Sequence, residues 1–234
     1  NTVARALLSI EEEYKDKENW KEIYKKVSQK TVIVAIGAQD NAYEDYISVN
    51  WPEVRYYDLG KIFGIYTGFG KMGVAEKYRY LYENNWWKAN IKFGYGKLLD
   101  NYGLVGDGQR YEGEGDCSGW QPGLAKNPEE FKYFNMKDGY QRYDWTSEGD
   151  SPAFMFLLDV GLRGLENPGL GSWGGRLQTD EDSSNYYSAA VDYDPERDIK
   201  NEKYTLSRWL EHIQNDFAAR ADWCVKSFDD ANHQ

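Results

Sequence analysis

The sequence is poor in the residues on which several enzyme classes depend. It has only two cysteines, Cys117 and Cys224, and only two histidines, His212 and His233. The motifs HExxH, CxxC, GxSxG and GKS/T do not occur, so the sequence does not support a zinc protease, a zinc ribbon, a serine hydrolase or a P-loop enzyme. Two cysteines leave both a disulfide and two free thiols open.

Long apolar runs and an excess of positive charge are also lacking. No apolar run approaches the roughly 18 residues that a membrane span requires. Lys and Arg number 28 against 39 Asp and Glu, which gives a net charge of −11. Such a field repels phosphate, so neither a nucleic-acid polymer nor an anionic membrane is an expected partner.

Aromatic residues, in contrast, are abundant. The 234 residues include 9 Trp, 20 Tyr and 9 Phe, which is 16% of the chain. Aromatic faces stack on the C–H faces of sugar rings, so a saccharide ligand is one hypothesis, and packing of the core is the other. An acidic chain rich in Tyr and Trp and poor in Cys is typical of a secreted or periplasmic bacterial protein.

The first sixty residues alternate between helical and strand-like patterns. Apolar residues at helical spacing predict helices from Val3 to Leu8 and from Trp20 to Val27. The β-branched run Thr31–Ile36 predicts a buried parallel strand. A helix over Ala42–Asn50, ended by Pro52, and a second strand over Val54–Leu59 follow. This rhythm predicts an α/β fold with an open, mostly parallel sheet flanked by helices.

The rest of the chain completes one predicted domain over residues 1–234. Val74–Ala89 reads as a long amphipathic helix, and Leu206–Phe228 as another. Residues 94–147 are glycine-rich and show no period, which indicates a long insertion, either functional or a surface elaboration. Ser151-Pro152 is a good helix start.

Two carboxylates stand just before this helix start. Glu148 and Asp150 occupy a position where open α/β sheets bind ligands. They could ligate a hard cation such as calcium or share acid and base roles. Alternatively, Asp150 only favours the helix dipole and Glu148 is solvated.

Two further segments carry candidate ligand-binding residues. Gln39-Asp40-Asn41 follows the first predicted strand, and its amides and carboxylate could bind vicinal hydroxyls or simply close an Asx turn. In Trp173-Gly174-Gly175-Arg176 an aromatic ring, free backbone N–H groups and a cation could bind a sugar, or the segment is a tight turn. Asp216 and Arg220 are expected to form a helix-surface pair.

Several of these motifs together resemble one family. The chain is similar to the bacterial cellulose-binding protein family that has a nucleoside-hydrolase-like domain. The motifs that carry this resemblance are Asn1–Leu7, Glu148–Phe154, Gly171–Arg176, Gln214–Arg220, Asp222–Cys224 and Ala231–His233.

The resemblance implies an open α/β sheet and a calcium ion held partly by a late aspartate that begins a helix. Asp150 matches that aspartate, so it is the metal ligand that the resemblance carries over. The family's first-strand aspartate cluster would precede Asn1, so the chain is expected to lack the N-terminal strands of the domain. The histidine that typically precedes the late aspartate is replaced by Gly149.

Two functions follow as hypotheses. The first is a sugar-directed, calcium-assisted hydrolase that acts on a glycosidic or N-ribosidic bond. In this hypothesis Glu148, Asp150 and Asp40 are catalytic and Trp173 stacks on the sugar. Gln39, Asn41 and Arg176 would bind the substrate. The second is a non-catalytic carbohydrate-binding module, with cellulose as its ligand, on a hydrolase scaffold.

Overall fold

The computed structural model describes residues 2–37, 40–64, 71, 73–104, 107, 141–144, 148–180, 183–227 and 229–230. The α-helices in these ranges are α1 Thr2–Tyr14, α2 Trp20–Lys30, α3 Ser48–Asn50, α4 Asn84–Trp87, α5 Gly96–Asp100, α6 Ser151–Leu157, α7 Tyr204–Ser207 and α8 Leu210–Trp223. The strands are β1 Val32–Ala35, β2 Arg55–Asp58, β3 Leu177–Asp180, β4 Ser183–Ala189, β5 Asp192–Asp194 and β6 Ile199–Asn201. Short π-helical and 3₁₀ segments complete them: Tyr43–Ile47, Gly60–Ile62, Glu76–Tyr82, Lys88–Lys92, Arg163–Leu165 and Pro168–Leu170.

The chain forms two compact units. The first comprises Asn1–Phe63 and Pro152–Asp192, and the second comprises Gly64–Ser151 and Tyr193–Gln234. Each has its own buried residues. The single domain expected from the sequence stays a prediction.

A four-stranded mixed sheet organises the first unit. Its strand order is β1-β2-β4-β3, in which β2 pairs in parallel with both β1 and β4, and β3 pairs antiparallel with β4. The register aligns Val34 with Tyr57 and Tyr57 with Tyr187. The predicted α/β class is therefore observed, as a mixed sheet with parallel strands flanked by helices.

Strand β1 is parallel, as its sequence predicted, but it is not buried. Val32 is 37% exposed, and the other three residues of the strand are half-buried. The physical reason is its position at the end of the described strand order, where only β2 covers it. A β-branched run therefore marked the strand correctly but overstated its burial.

Helices cover both faces of this sheet. Leu7 of α1, Ile47, Trp51 and Val54 form a buried cluster, against which Ile33 of β1 and residues of α2 pack. Successive side chains of a strand point to opposite faces. On the face opposite Tyr56, the ring of Tyr57 meets the ring of Phe156 from α6 at 5.5 Å.

The second unit is helical around a separate core. Trp87, Ile91, Leu99, Leu104 and Ala221 form its buried cluster. The terminal helix predicted over Leu206–Phe228 is observed as two helices, α7 and α8, of which the second ends at Trp223. A two-stranded sheet of β5 and β6 precedes it.

The predicted long helix over Val74–Ala89 is wrong. A 3₁₀ segment, Glu76–Tyr82, is followed by the extended residue Glu83, and a new helix starts at Asn84. The Asp144 carboxylate accepts a hydrogen bond from the Asn84 N–H at 2.8 Å, which caps this new start from a distant part of the chain. A periodic pattern cannot reveal such a tertiary cap.

The glycine-rich region 94–147 is described only in part. Its described residues include the short helix α5, which the absence of a periodic pattern did not predict. Cys117 lies outside the described residues, and Cys224 is an exposed free thiol. No helix in the described ranges is both long and apolar enough to cross a membrane.

Candidate functional site at the carboxyl edge of the parallel strands

Asp58, the last residue of β2, is the centre of the candidate site. Its Oδ1 accepts hydrogen bonds from the Gly60 N–H at 2.8 Å and from the Gly37 N–H at 3.2 Å. Its Oδ2 accepts the phenolic O–H of Tyr186 at 2.7 Å. One carboxylate therefore joins the segments that follow β1 and β2 to the neighbouring strand β4.

Glycine is required where these two segments meet. Gly37 has a φ of +69°, a conformation that L side chains rarely adopt. A Cβ at Gly60 would lie 2.9 Å from the Gly37 Cα and 3.0 Å from the Asp58 Oδ1. Any side chain at residue 60 would therefore push apart the two strand ends that Asp58 holds together.

Three tyrosines pack beside this carboxylate. The rings of Tyr56 and Tyr186 lie parallel with centroids 5.6 Å apart, since β2 and β4 align them in register. Tyr43, in the π-helical turn after β1, contacts both rings, with centroids 4.2 Å from Tyr56 and 5.2 Å from Tyr186. Tyr56 is buried, whereas Tyr43 and Tyr186 are half-buried.

The electrostatic field at this edge is negative, and together with burial it raises the pKa values of Tyr56 and Tyr186. Burial, and then the charges of Asp58 and Glu44, raises the pKa of Tyr56 to about 12. Burial and the hydrogen bond to Asp58 raise the pKa of Tyr186 well above its usual value. These phenols stay protonated at neutral pH, so they can donate hydrogen bonds but cannot serve as general bases there.

Asp40 and Asn41 lie at this edge, as the sequence predicted, and Gln39 lies outside the described residues. Asp40 is exposed, and its Oδ1 accepts the Ala42 N–H at 3.1 Å, which is an Asx turn. Its charge also contributes to the raised pKa of Tyr56. Asn41 is exposed, and its carbonyl accepts the Asp45 N–H at 2.8 Å. Asp40 thus closes a turn and adds negative charge to the site.

Glu148 and Asp150 precede α6, which begins at Ser151 as predicted. Both side chains are exposed, and the Glu148 Oε2 accepts the Ser151 hydroxyl at 2.8 Å. They belong to the second unit, whereas Asp40 belongs to the first. Their catalytic roles stay a prediction.

The segment Ser172–Arg176 is a tight turn. The Gly174 N–H donates to the Ser172 Oγ at 3.0 Å, and the Gly175 N–H donates to the Ser172 carbonyl at 3.1 Å. The N–H groups of Gly174 and Gly175 are therefore engaged within the turn. Arg176 pairs with Asp192, its Nε lying 3.1 Å from Oδ1, and Trp173 is half-buried.

Gly174 has a packing role. A Cβ at this residue would lie 2.4 Å from both the Phe156 nitrogen and the Pro152 carbonyl oxygen. The turn therefore rests directly on the backbone of α6. Gly174 allows this close approach, and sugar binding by Trp173 and Arg176 stays a prediction.

A calcium site would need several oxygen ligands in one place. The described residues contain no group of three or more Asp, Glu, His or Cys side chains placed to hold a metal ion. Asp150 is exposed and could supply one oxygen ligand, but a calcium ion takes six to eight. The described residues alone thus do not fit a calcium site.

A polar pocket of about 200 Å³ lies in the second unit. Its lining residues are Lys71, Glu83, Asn84, Asn85, Gln141 and Asp144. Burial raises the pKa of Asp144, although backbone N–H groups of Gln141 and Asn84 and the nearby Lys71 oppose the rise. Both oxygens of Asp144 accept these N–H groups, at 2.7 and 2.8 Å, so its primary role is to join two segments.

Asp58, Tyr56 and Tyr186 were missed as site residues. Asp58 could have been found, because it lies next to the carboxyl end of the predicted strand Val54–Leu59. Tyr186 could not, because β4 was not predicted: its Tyr186-Tyr187 pair follows a polar, acidic stretch without alternation. Only the pairing of β4 with β2 brings Tyr186 to Asp58.

The fold and this edge define an α/β protein whose acidic and aromatic side chains gather where parallel strands end. The chain belongs to the family described as cellulose-binding Sde182, nucleoside hydrolase-like domain, whose model matches residues 1–177. The resemblance inferred from the motifs is thereby confirmed. The motifs from Gln214 onward lie beyond the matched range. Searches of curated proteins and of solved structures found no significant match.

Proposed function

We propose that this chain is a carbohydrate-binding domain on a nucleoside-hydrolase-like scaffold, and that it holds its ligand without cleaving it. The observation that carries this proposal is the state of Asp58. It ends the strand that lies between two parallel neighbours, where a substrate has the best access in an α/β sheet. Two N–H groups and one O–H group of its own chain already bind its oxygens.

The surroundings of Asp58 suit a sugar that is bound and not cleaved. Tyr43 and Tyr186 are half-buried rings, and ring faces attract the weakly positive C–H groups of a sugar. The exposed Asp40 and Glu44 can accept hydrogen bonds from hydroxyl groups. The family name supports cellulose as the ligand.

Binding to cellulose tests the proposal. The chain should sediment with insoluble cellulose, and Tyr43→Ala should lower the bound fraction at least fivefold at equal protein concentration. Tyr193→Ala is the matched control, since Tyr193 is an exposed tyrosine of the second unit, 52% exposed. Equal retention of both variants would contradict the assignment of the site, and failure of the parent chain to bind would contradict cellulose as the ligand.

Hydrolysis of a glycosidic or N-ribosidic bond is the second candidate. The exposure of Glu148 and Asp150 beside the start of α6 favours it, because both carboxylates are accessible to a substrate. Release of reducing sugar from nucleosides and cello-oligosaccharides would measure it. On this hypothesis Asp150→Ala abolishes turnover, whereas on the binding hypothesis the parent chain shows none.

Calcium and an extracellular or periplasmic location belong to the same set of proposals. Asp150 would supply one calcium ligand, and the described residues do not provide the others. Calorimetric titration of the parent chain and of Asp150→Asn tests this: heat that the variant loses supports the site, and no heat in either rejects it. A domain that binds cellulose would meet its ligand outside the cytoplasm, which fractionation of the source cells would check.

A further inference from the structure

A second cleft, formed by α2 and the segment after α3, lies in the first unit. It has a volume of about 560 Å³, within the range of small-ligand sites. Its lining residues are Trp20, Lys21, Tyr24, Lys25 and Glu53. None of them belongs to the site around Asp58.

The aromatic side of this cleft is rigid. Tyr24 stacks on Trp51 with centroids 5.0 Å apart and ring planes 16° apart, and Trp20 meets Trp51 edge-on at 5.6 Å. Trp51 is only 1% exposed, and its Nε1–H donates to the Tyr46 hydroxyl at 3.1 Å. Trp20 and Tyr24 are half-buried and meet edge-on, with ring centroids 5.7 Å and ring planes 66° apart, so they form a corner held by their contacts with Trp51, which limits the side-chain freedom lost on binding.

The charged side of the cleft is positive in a strongly acidic chain. Lys21 and Lys25 stand one helical turn apart, next to Trp20 and Tyr24, and Glu53 faces the same cleft. All three charged side chains are exposed. Helix α2 carries four lysines against one glutamate, whereas the whole chain has a net charge of −11. Local positive charge of this kind favours an anionic ligand.

We propose that this cleft binds an acidic saccharide, with one sugar ring in the corner between Trp20 and Tyr24 and a uronate carboxylate between the Lys21 and Lys25 ammonium groups. The aromatic rings contact the C–H surface of the sugar, and the lysines form charge-assisted hydrogen bonds with its carboxylate. Neutral sugars would gain only the first of these contacts. The site is therefore selective for uronate-containing chains.

Calorimetric titration with trigalacturonate and with cellotriose tests the proposal. Trigalacturonate should bind at least tenfold more tightly than cellotriose, since one charge-assisted contact of about 1.4 kcal/mol is a tenfold difference in Kd. The double variant Lys21→Glu/Lys25→Glu should lose this preference. Glu53→Gln should strengthen trigalacturonate binding, because it removes a like charge from the cleft.

The control makes the same change of charge on the same helix. Lys26→Glu/Lys30→Glu alters two lysines of α2 that do not line the cleft, and it should retain most of the affinity. Equal losses of affinity in the two double variants would mean that only the overall positive charge of the helix matters, and this would overturn the proposal. Undetectable binding of trigalacturonate, or equal binding of the two sugars, would also overturn it.

The aromatic contact has its own measurement. Tyr24→Leu keeps apolar bulk against Trp51 and should weaken trigalacturonate at least fivefold, with the circular dichroism spectrum unchanged. Full affinity in this folded variant would contradict the stacking. Because the cleft shares no residue with the Asp58 site, Tyr43→Ala should leave trigalacturonate binding intact, so either site can fail without the other.

Discussion

In each compact unit a charged side chain can be found that joins several segments, and two such side chains, Asp58 and Lys92, differ in burial. In the first unit, Asp58 accepts two backbone N–H groups and one phenol while it stays half-buried at a strand end. In the second unit, the Lys92 side chain is only 7% exposed. Its Nζ donates to the Asp100 and Tyr102 carbonyls at 2.8 and 2.7 Å and to the Asp107 Oδ2 at 3.1 Å.

This difference in burial distinguishes a residue with only a structural role from one that a ligand can reach. A buried ammonium is tolerated only when its hydrogen bonds are satisfied, and the three donors of Lys92 meet three acceptors. Lys92 is therefore a structural element out of reach of a ligand. Asp58 holds loops together as well, but at a surface that a ligand can reach.

The largest expected effect is at Lys92. Lys92→Met removes the ammonium but leaves the Asp107 carboxylate, which is 1% exposed, without this cation. We expect the free energy of unfolding to fall by about 3–5 kcal/mol, measured by urea denaturation. The exposed pair Asp216–Arg220 is the control, and Arg220→Ala should cost less than about 1 kcal/mol. Similar losses in both variants would contradict the contrast between buried and exposed charges.

Asp58→Ala should come next. It removes the acceptor of three hydrogen bonds and leaves the Gly37 and Gly60 N–H groups without it, so we expect a loss of about 2–3 kcal/mol in urea denaturation. Asp58→Asn keeps the shape and one acceptor oxygen and should cost less. If Asp58→Ala were as stable as the parent chain, the carboxylate would not join the strand ends.

The raised pKa of Tyr56, beside Asp58, predicts that the folded chain loses stability at high pH. The pKa of Tyr56 is about 12 in the folded chain against 10.0 for its ordinary value, so the folded state retains its proton longer. The contribution is present in full below pH 10 and is lost as the pH rises from 10 to about 12. Urea midpoints across this range should fall less steeply in Tyr56→Phe than in the parent. Parallel curves would contradict the prediction.

The smallest effects on stability are expected at Glu148 and Asp150. Both are exposed, so Glu148→Gln and Asp150→Asn should change the free energy of unfolding by less than about 0.5 kcal/mol. Thermal denaturation of each variant measures this. A larger loss at Asp150 would indicate a structural role and would weaken any reading of its variants as a test of catalysis.

Local sequence patterns predicted the first unit better than the second. Helices α1 and α2, strands β1 and β2 and the start of α6 lie where apolar spacing, β-branched runs and Ser151-Pro152 placed them. The pattern failed over Val74–Ala89, where Asp144 starts a new helix at Asn84. Propensity within one segment contains no information on a cap that another segment supplies.

In the candidate site, too, some residues had a local sequence signal and others had none. Position after a strand identified Asp40 and Asn41, and the same argument reaches Asp58. The pairing of Asp58 with Tyr186 spans 128 residues, and the engagement of Arg176 with Asp192 depends on the strands that separate them. Neither has a local signal.

The amino-acid sequence was sufficient for the α/β class, the family and the abundance of aromatic and acidic side chains, because these depend on composition, short motifs and local periodicity. The tertiary structure decided which charged side chains form hydrogen bonds and which stay exposed. It placed the Asp58 carboxylate among three donors and left Glu148 and Asp150 exposed. The physical reason is that a carboxylate's partners come from segments far apart in the chain, and only folding brings their N–H and O–H groups within hydrogen-bond distance.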